Sequence, residues 1–412
     1  MAGPALAGGN DDIDAGFAAL NQRHNPAEAI ALFNEALADS TLTEDKKSLA
    51  LLDRGQAYAA SGDLARAIED YNTALPNSAV PWAIHLDRGI VYAELGQSQD
   101  ALADYAMTLK LKPENPMAFT KRGEVYLALG RLAEARADED RAIELKTDDP
   151  KMLKVMGEIR LEALGIRGMI RRRQGDNAGA ITDLTLVLGE QPNPHAYLER
   201  GSAELAVGRV DPALDDLDHA ISLAPDSTDA HHSRGNLRAA LGGYASALED
   251  LDEAVRLAPK DGLVRRDRGA VFFNEGDFAA AANEFDRAAQ LAPADPYALI
   301  WRHLAKTRLK QDEAAEFTSA AVGVDAAAWP APVVAMFRGQ VTPADVLSAA
   351  RQAPDNDRPG HLCEAFYYVG QAALMAGDER TAVTRLHKAV EICPLDYIER
   401  GAAEAELRRL ER

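Results

Sequence analysis

The chain has 412 residues, 47% of them hydrophobic and 27% charged, with 45 Lys and Arg against 65 Asp and Glu for a formal charge of −20. The apolar share is ample for a folded core, which excludes a disordered acidic polymer, and the acid excess argues against a nucleic-acid backbone as partner. No apolar run reaches the ~18–20 residues that span a bilayer, and two cysteines, Cys363 and Cys393, are too few for a disulfide-built scaffold or a four-Cys zinc site.

Residues 1–10 read as a flexible leader. Within it Pro4-Ala5-Leu6-Ala7 ends in an Ala-x-Ala pattern like the tail of a secretory signal, with no charged or hydrophobic signal region before it. That pattern favours a mature exported form with an added Met1; a cytosolic protein with an Ala/Gly leader is the other reading. Residues 11–46 hold a degenerate helical unit marked by Ala29, Phe33 and Ala36.

From residue 47 a unit recurs. Arg-Gly dipeptides stand at Arg54-Gly55, Arg88-Gly89, Arg122-Gly123, Arg167-Gly168, Arg200-Gly201, Arg234-Gly235 and Arg268-Gly269, with glycine spacings of 34, 34, 45, 33, 34 and 34. A second glycine follows seven residues later (Gly62, Gly96, Gly130, Gly175, Gly208, Gly242, Gly276), and an alanine five residues after that (Ala67, Ala101, Ala135, Ala180, Ala213, Ala247, Ala281). The small residues let two antiparallel helices approach, the middle glycine supplies a turn where positive φ is cheap, and a closing proline such as Pro113, Pro225 or Pro259 ends the second helix. Tyr58, Tyr71, Tyr105 and Phe285 recur at helical spacing and read as core. Three units fill 47–149, a helical insertion 150–166, and four units 167–294. The insertion adds 11 residues, enough for about three turns of an extended first helix or for a separate short one. A degenerate unit follows at 295–323, with His303 and Lys310 in place of the glycines. Residues 324–360 are irregular around Trp329 and a short helix starting at Thr342-Pro343. A last unit fills 361–395, and an amphipathic capping helix 396–412 closes the chain.

The unit resembles the tetratricopeptide repeat, a 34-residue helix–turn–helix. The resemblance implies an all-α chain, a right-handed α-solenoid of about ten units whose first helices line a concave groove for a peptide or partner helix. The groove positions would be Gln56, Ile90, Glu124, Met169, Arg172, Arg173, Ser202, Asp229, His232, Asn236, Arg266, Phe273 and Asn274. The Lys/Asn/Arg clamp by which some members hold C-terminal carboxylates is absent, its places taken by Leu52, Gln56 and Asp87. The part after residue 324 resembles exported bacterial members of the family. Together these imply a non-catalytic scaffold or adaptor in the periplasm, serving cell-envelope proteins; a cytoplasmic regulatory or targeting subunit of an enzyme complex is the alternative.

Two further patterns belong to the chain itself. Sixteen residues after each repeat arginine stands an acid, giving the pairs Arg54/Asp70, Arg88/Asp104, Arg122/Asp138, Arg167/Asp183, Arg200/Asp216, Arg234/Asp250 and Arg268/Glu284. The two places lie at similar heights in an antiparallel hairpin, which predicts a ladder of Arg–carboxylate pairs. Arg302, with Thr318 at the matching place, is expected to be free. The stretches Arg171-Arg172-Arg173 and His231-His232-Ser233-Arg234 are the most basic and could accept an acidic segment. Cys363 opens the first helix of the last unit and Cys393 follows its second, so a hairpin would bring them together as a disulfide; two buried thiols are the alternative. No phosphate-binding glycine loop, zinc-protease helix or calcium loop occurs, so no cofactor, metal site or catalytic residue is expected.

Overall fold

A computed structural model describes residues 9–311 and 313–411. The leader tetrapeptide Pro4–Ala7 therefore lies outside the described residues. The described chain is helical throughout, without a strand, and falls into two compact units, residues up to Val187 and residues from Leu188 onward. It is an α-solenoid of consecutive helix pairs.

In the first unit α1 (Gly9–Asn21) pairs with α2 (Pro26–Ala38), α3 (Glu44–Ala60) with α4 (Leu64–Ala74), α5 (Pro81–Glu94) with α6 (Ser98–Leu111), and α7 (Pro116–Ala128) with α8 (Leu132–Glu144). The unit then runs into α9 (Leu153–Arg173) and α10 (Asn177–Glu190). The insertion is thus part of one 21-residue first helix, and Gly157 and Gly165 sit in it without breaking it, at places where a Cβ would meet open space. Starts are local chemistry. Asn25, Thr43, Asp63 and Asn115 each accept a hydrogen bond from a first-turn N–H, and proline opens α2, α5 and α7, where its missing N–H is no loss.

The second unit continues the pairing: α11 (Pro194–Ala206) with α12 (Val210–Leu223), α13 (Thr228–Ala240) with α14 (Tyr244–Leu257), and α15 (Gly262–Glu275) with α16 (Phe278–Leu291). Then come α17 (Pro296–Arg308), the short α18 (Ala314–Ala320), α19 (Ala331–Phe337), α20 (Pro343–Arg351), the pair α21 (Arg358–Met375) and α22 (Glu379–Ile392), and α23 (Ile398–Leu410). The irregular segment holds two short helices, and a capping box between Thr342 and Asp345 opens the second.

Each hairpin turns on its middle glycine, whose φ lies between 71° and 96° in all seven full repeats. Lys310 holds the same place in the degenerate unit at φ 57°. The first-helix glycine does something different: it receives the large side chain sixteen residues later. A Cβ on Gly55 would stand 2.5 Å from the Tyr71 ring, and one on Gly269 2.8 Å from Phe285. Gly269→Ala is therefore expected to lower stability by about 1–2 kcal/mol, read as a shift of the urea midpoint; an unchanged midpoint would show that Phe285 swings aside freely.

The largest core lies in the second unit. Trp301, fully buried, stacks on Phe285 and Tyr367 and meets Phe273 and Tyr368 edge-on. Two elements close this core. The Cys363 and Cys393 sulfurs stand 2.14 Å apart, with Cα atoms 4.8 Å apart, at the open end of the α21–α22 hairpin. Directly after Cys393 the chain turns into α23, which packs on α21 and α22 and also on α13 and α15.

Candidate partner-binding face

The ladder positions come first, since they hold the hairpins that carry the face. Arg54 donates from Nε and Nη2 to the two oxygens of Asp70 at 2.8 and 2.7 Å. The same two-pronged contact joins Arg88 to Asp104, Arg122 to Asp138, Arg167 to Asp183, Arg200 to Asp216 and Arg234 to Asp250, at 2.5–3.0 Å. Arg268 reaches Glu284 through Nη2 at 2.8 Å. A second contact reaches back to the preceding hairpin: Nη1 of Arg54, Arg88, Arg167, Arg234 and Arg268 donates to Asn34, Asn72, Asp140, Asp218 and Asp252. The arginine is a staple between neighbouring hairpins as well as within one. Sequence reasoning missed this half, although its signal was present: in all but Asn34 the acceptor stands two residues after the previous ladder acid. Asp216 is almost fully buried while Arg200 keeps some exposure, so Asp216→Ala is expected to lose about 1–2 kcal/mol. A loss under ~0.5 kcal/mol on denaturant titration would reduce the pair to a solvated contact.

Arg302 is not free. It is 7% exposed and sits among Glu316 at 3.1 Å, Glu313 at 3.6 Å and Asp286 at 3.7 Å, because the short α18 brings Glu313 and Glu316 back over α17. His303, in the place of the packing glycine, bonds Glu313 at 2.5 Å from Nδ1 and lies against Phe317.

The first helices of the second unit present Asn236, Asp267 and Asn274 to a cleft whose other wall is Tyr397, Ile398 and Gly401. The last helix packs on the final hairpin and also lies across the first-helix face of α13 and α15. Gly401, Ala402 and Ala403 give it a flat, buried side, and Arg409 donates to the carbonyls of Phe273 and Asn274 at 2.6 and 2.7 Å at the α15 C-terminus. Arg408 donates to the Tyr244 hydroxyl at 2.6 Å. Around it His232 Nε2 lies 2.8 Å from Asp267, Asn236 donates to the same carboxylate at 3.1 Å, and Arg266 bonds its other oxygen at 3.1 Å. Burial works against the Asp267 charge, but these partners hold its carboxyl below the usual range. Deeper in, Glu399 accepts from the Tyr368 hydroxyl; burial, then the neighbouring Glu364, push it up to about 8. Glu364 in turn accepts from Trp329 Nε1 and the Tyr297 hydroxyl, and Trp329 stacks on His361.

The first unit carries first-helix positions of the same kind. Gln56 on α3 donates to Asp87 on α5 at 2.7 Å, and Ile90 packs half-buried beside Leu86. Glu124 shares Lys121 with Glu162, at 3.0 and 2.7 Å. Met169 lies against Leu127 and Ile170, and Arg173 is exposed at the end of α9.

Four stretches, residues 14–80, 86–150, 167–228 and 232–296, match the tetratricopeptide repeat model and together make up more than half of the chain. The chain belongs to the tetratricopeptide repeat family. Solved structures similar to it include a tetratricopeptide repeat protein from Parabacteroides merdae, at 20% identity over 63% of this chain and 99% of that one, with a TM-score of 0.48. The type IV pilus biogenesis factor PilW is 21% identical over 52% of this chain and 94% of its own, at 0.46. Yeast Tom70 is 16% identical over 98% and 95%, at 0.40. No relative was found among curated proteins. As an array of tetratricopeptide repeats the chain is a protein–protein interaction scaffold. No helix among the described residues is long and apolar enough to cross a membrane.

Several groove positions transferred from the tetratricopeptide repeat need correction. Phe273 is fully buried, edge-on to Trp301 at 5.4 Å and to Phe278 at 5.1 Å, with Arg409 above it, so it is core beneath α23. Asn274 is buried in the same cleft. The basic stretches are engaged internally: Arg171 contacts Asp183, His231 lies by the Pro225 carbonyl, and Arg234 bridges Asp250 and Asp218. Ser202 donates back to the Leu198 carbonyl, and Asp229 is exposed.

Proposed function

We propose that this tetratricopeptide repeat chain is a non-catalytic adaptor that holds a peptide or helix of a partner protein on its first-helix face. The observation that carries the reading is α23 lying across α13 and α15: a helix with a small-residue side and arginines at its end is seated on that face within the chain itself. A photo-crosslinking residue at Ile90, on the first-helix face, is expected to give an adduct of defined mass in cells that make the protein. One at exposed Thr73, on second helix α4, is expected to give none. Adducts from Thr73 alone would overturn the assignment.

The place of work proposed is the periplasm, with cell-envelope proteins as clients. The support is the Cys363–Cys393 geometry, since a disulfide persists in an oxidising compartment. Titration of two thiols in protein isolated from its own compartment would favour a cytoplasmic subunit of an enzyme complex instead.

A further inference from the structure

The residue two before each first-helix glycine forms a row: Asp53 on α3, Asp87 on α5, Lys121 on α7 and Ile166 on α9 in the first unit, and Glu199 on α11, Ser233 on α13 and Asp267 on α15 in the second. Asp267 shows what that place requires when it holds an acid. It faces the cleft under α23, where the Arg266 guanidinium offsets its charge and His232 and Asn236 complete the hydrogen-bonding set. In the first unit the amide is conserved in kind, since Gln56 stands at the repeat position of Asn236 and donates to Asp87 as Asn236 does to Asp267. The Arg266 charge and the His232 ring are not. The positions of His232 and Arg266 are occupied by Leu52 and Leu86, both buried.

Asp53 is the second observation. It is 7% exposed, yet no hydrogen bond or ion pair reaches its carboxylate from any described residue, and the charge acting on it is another acid, Asp87. Both carboxyls are lifted to about 6, chiefly by burial, with the Asp87 charge adding to the rise at Asp53. A buried carboxylate without a counter-charge is costly, and the repeat elsewhere in this chain supplies one. The next two places in the first unit hold Lys121, which Glu162 and Glu124 already engage, and the apolar Ile166, so the missing charge belongs to the α3–α5 portion. Two carboxylates beside leucine side chains do not make the oxygen-rich shell of a hard metal ion. They match the charged head of one long basic side chain.

Resting on the reading of this face as the partner site, we propose that the first unit recognises a basic segment of its partner, an arginine or lysine whose charged head seats between Asp53 and Asp87. The test uses the full chain and two labelled alanine-rich peptides, one carrying two arginines and the other two glutamates in their place, read by fluorescence anisotropy. The arginine peptide is expected to bind, and Asp53→Asn/Asp87→Asn to weaken it about tenfold, as for loss of a charge-assisted contact. Removing two exposed acids of the same unit, Asp100→Asn/Glu114→Gln, is expected to change affinity less than about twofold. Leu86→Arg, which imports the neutralising residue of the second unit, is a second variant expected to abolish binding. Equal weakening by the groove and surface pairs, or no binding of the arginine peptide, would overturn the proposal. Preferential crosslinking of the glutamate peptide at Ile90 would overturn the basic preference while leaving the face as a partner site. Crosslinking of either peptide at Thr73 and not at Ile90 would remove the face itself.

Discussion

Replacing Glu139 by leucine is expected to stabilise the first unit by about 2–3 kcal/mol at pH 7 and to flatten its dependence on pH. Glu139 occupies the place that receives the first-helix glycine, filled by Tyr71, Tyr105, Leu184, Leu217, Leu251 and Phe285 in the other full repeats. It is fully buried, and neither carboxyl oxygen is in hydrogen-bonding geometry with a partner; the nearby Thr120 hydroxyl favours the charged form only weakly. Burial, followed by the charges of Glu124, Asp138 and Glu162, lifts it from 4.5 to about 10. The sign follows from linkage. Below the unfolded value of 4.5 both states hold the proton and the group takes nothing from stability. Above it the unfolded chain releases the proton and the folded chain keeps it, so stability falls with rising pH until about 10, where the folded state ionises too. Thermal melts of wild type and Glu139→Leu between pH 5 and 9 should diverge as pH rises. Parallel curves would mean that water or a neighbour satisfies the carboxylate after all.

The second large effect is expected at the other end. Cys363→Ala/Cys393→Ala should cost about 3–4 kcal/mol in the stability of α21–α23, from the chain entropy of a loop closed across a separation of 30 residues. In a stack where each hairpin contacts its neighbours, the loss should stay local: amide exchange should accelerate in α22 and α23 and leave α3–α8 unchanged. Uniform acceleration, or none, would count against it. The consequence for the partner face is specific. Arg400 donates to the Cys393 carbonyl at 2.9 Å, so the bridge fixes the root of α23 before that helix crosses α13 and α15. Without it the second unit should expose the face that α23 now covers.

The period was legible because two of its glycines are conformational requirements: one takes positive φ, the other leaves room for a ring or a leucine. Such constraints repeat wherever the hairpin repeats. The Arg-to-acid spacing was legible for the same reason, being fixed by the height of two positions in one hairpin. What was not legible depended on partners far apart in the chain. The helix that reaches α13 and α15 from residues 398–410 has the composition of a cap, and nothing in its own pattern names the surface it meets. Phe273 looked like a groove residue because repeat position alone was read; burial came from Trp301 and Arg409. Arg302 looked free because the acid was sought sixteen residues on, whereas a shortened second helix supplies Glu313 and Glu316 instead. Glu139 stood in plain view as a break in an apolar column. Only the contact geometry showed that the column is the floor of the glycine notch.

The back-reaching arginine gives each stack a polarity. Every full repeat for which such a contact is described leans on the hairpin before it, through Asn34, Asn72, Asp140, Asp218 or Asp252, and each of these contacts runs in that direction. Removing a hairpin from the front of such a row strands an arginine that has lost one of its two anchors, with its charge still half-shielded from water. Removing one from the back merely releases a surface carboxylate. Fraying should therefore proceed unequally from the two sides, and truncation series begun at opposite ends of a row should lose cooperativity at different rates.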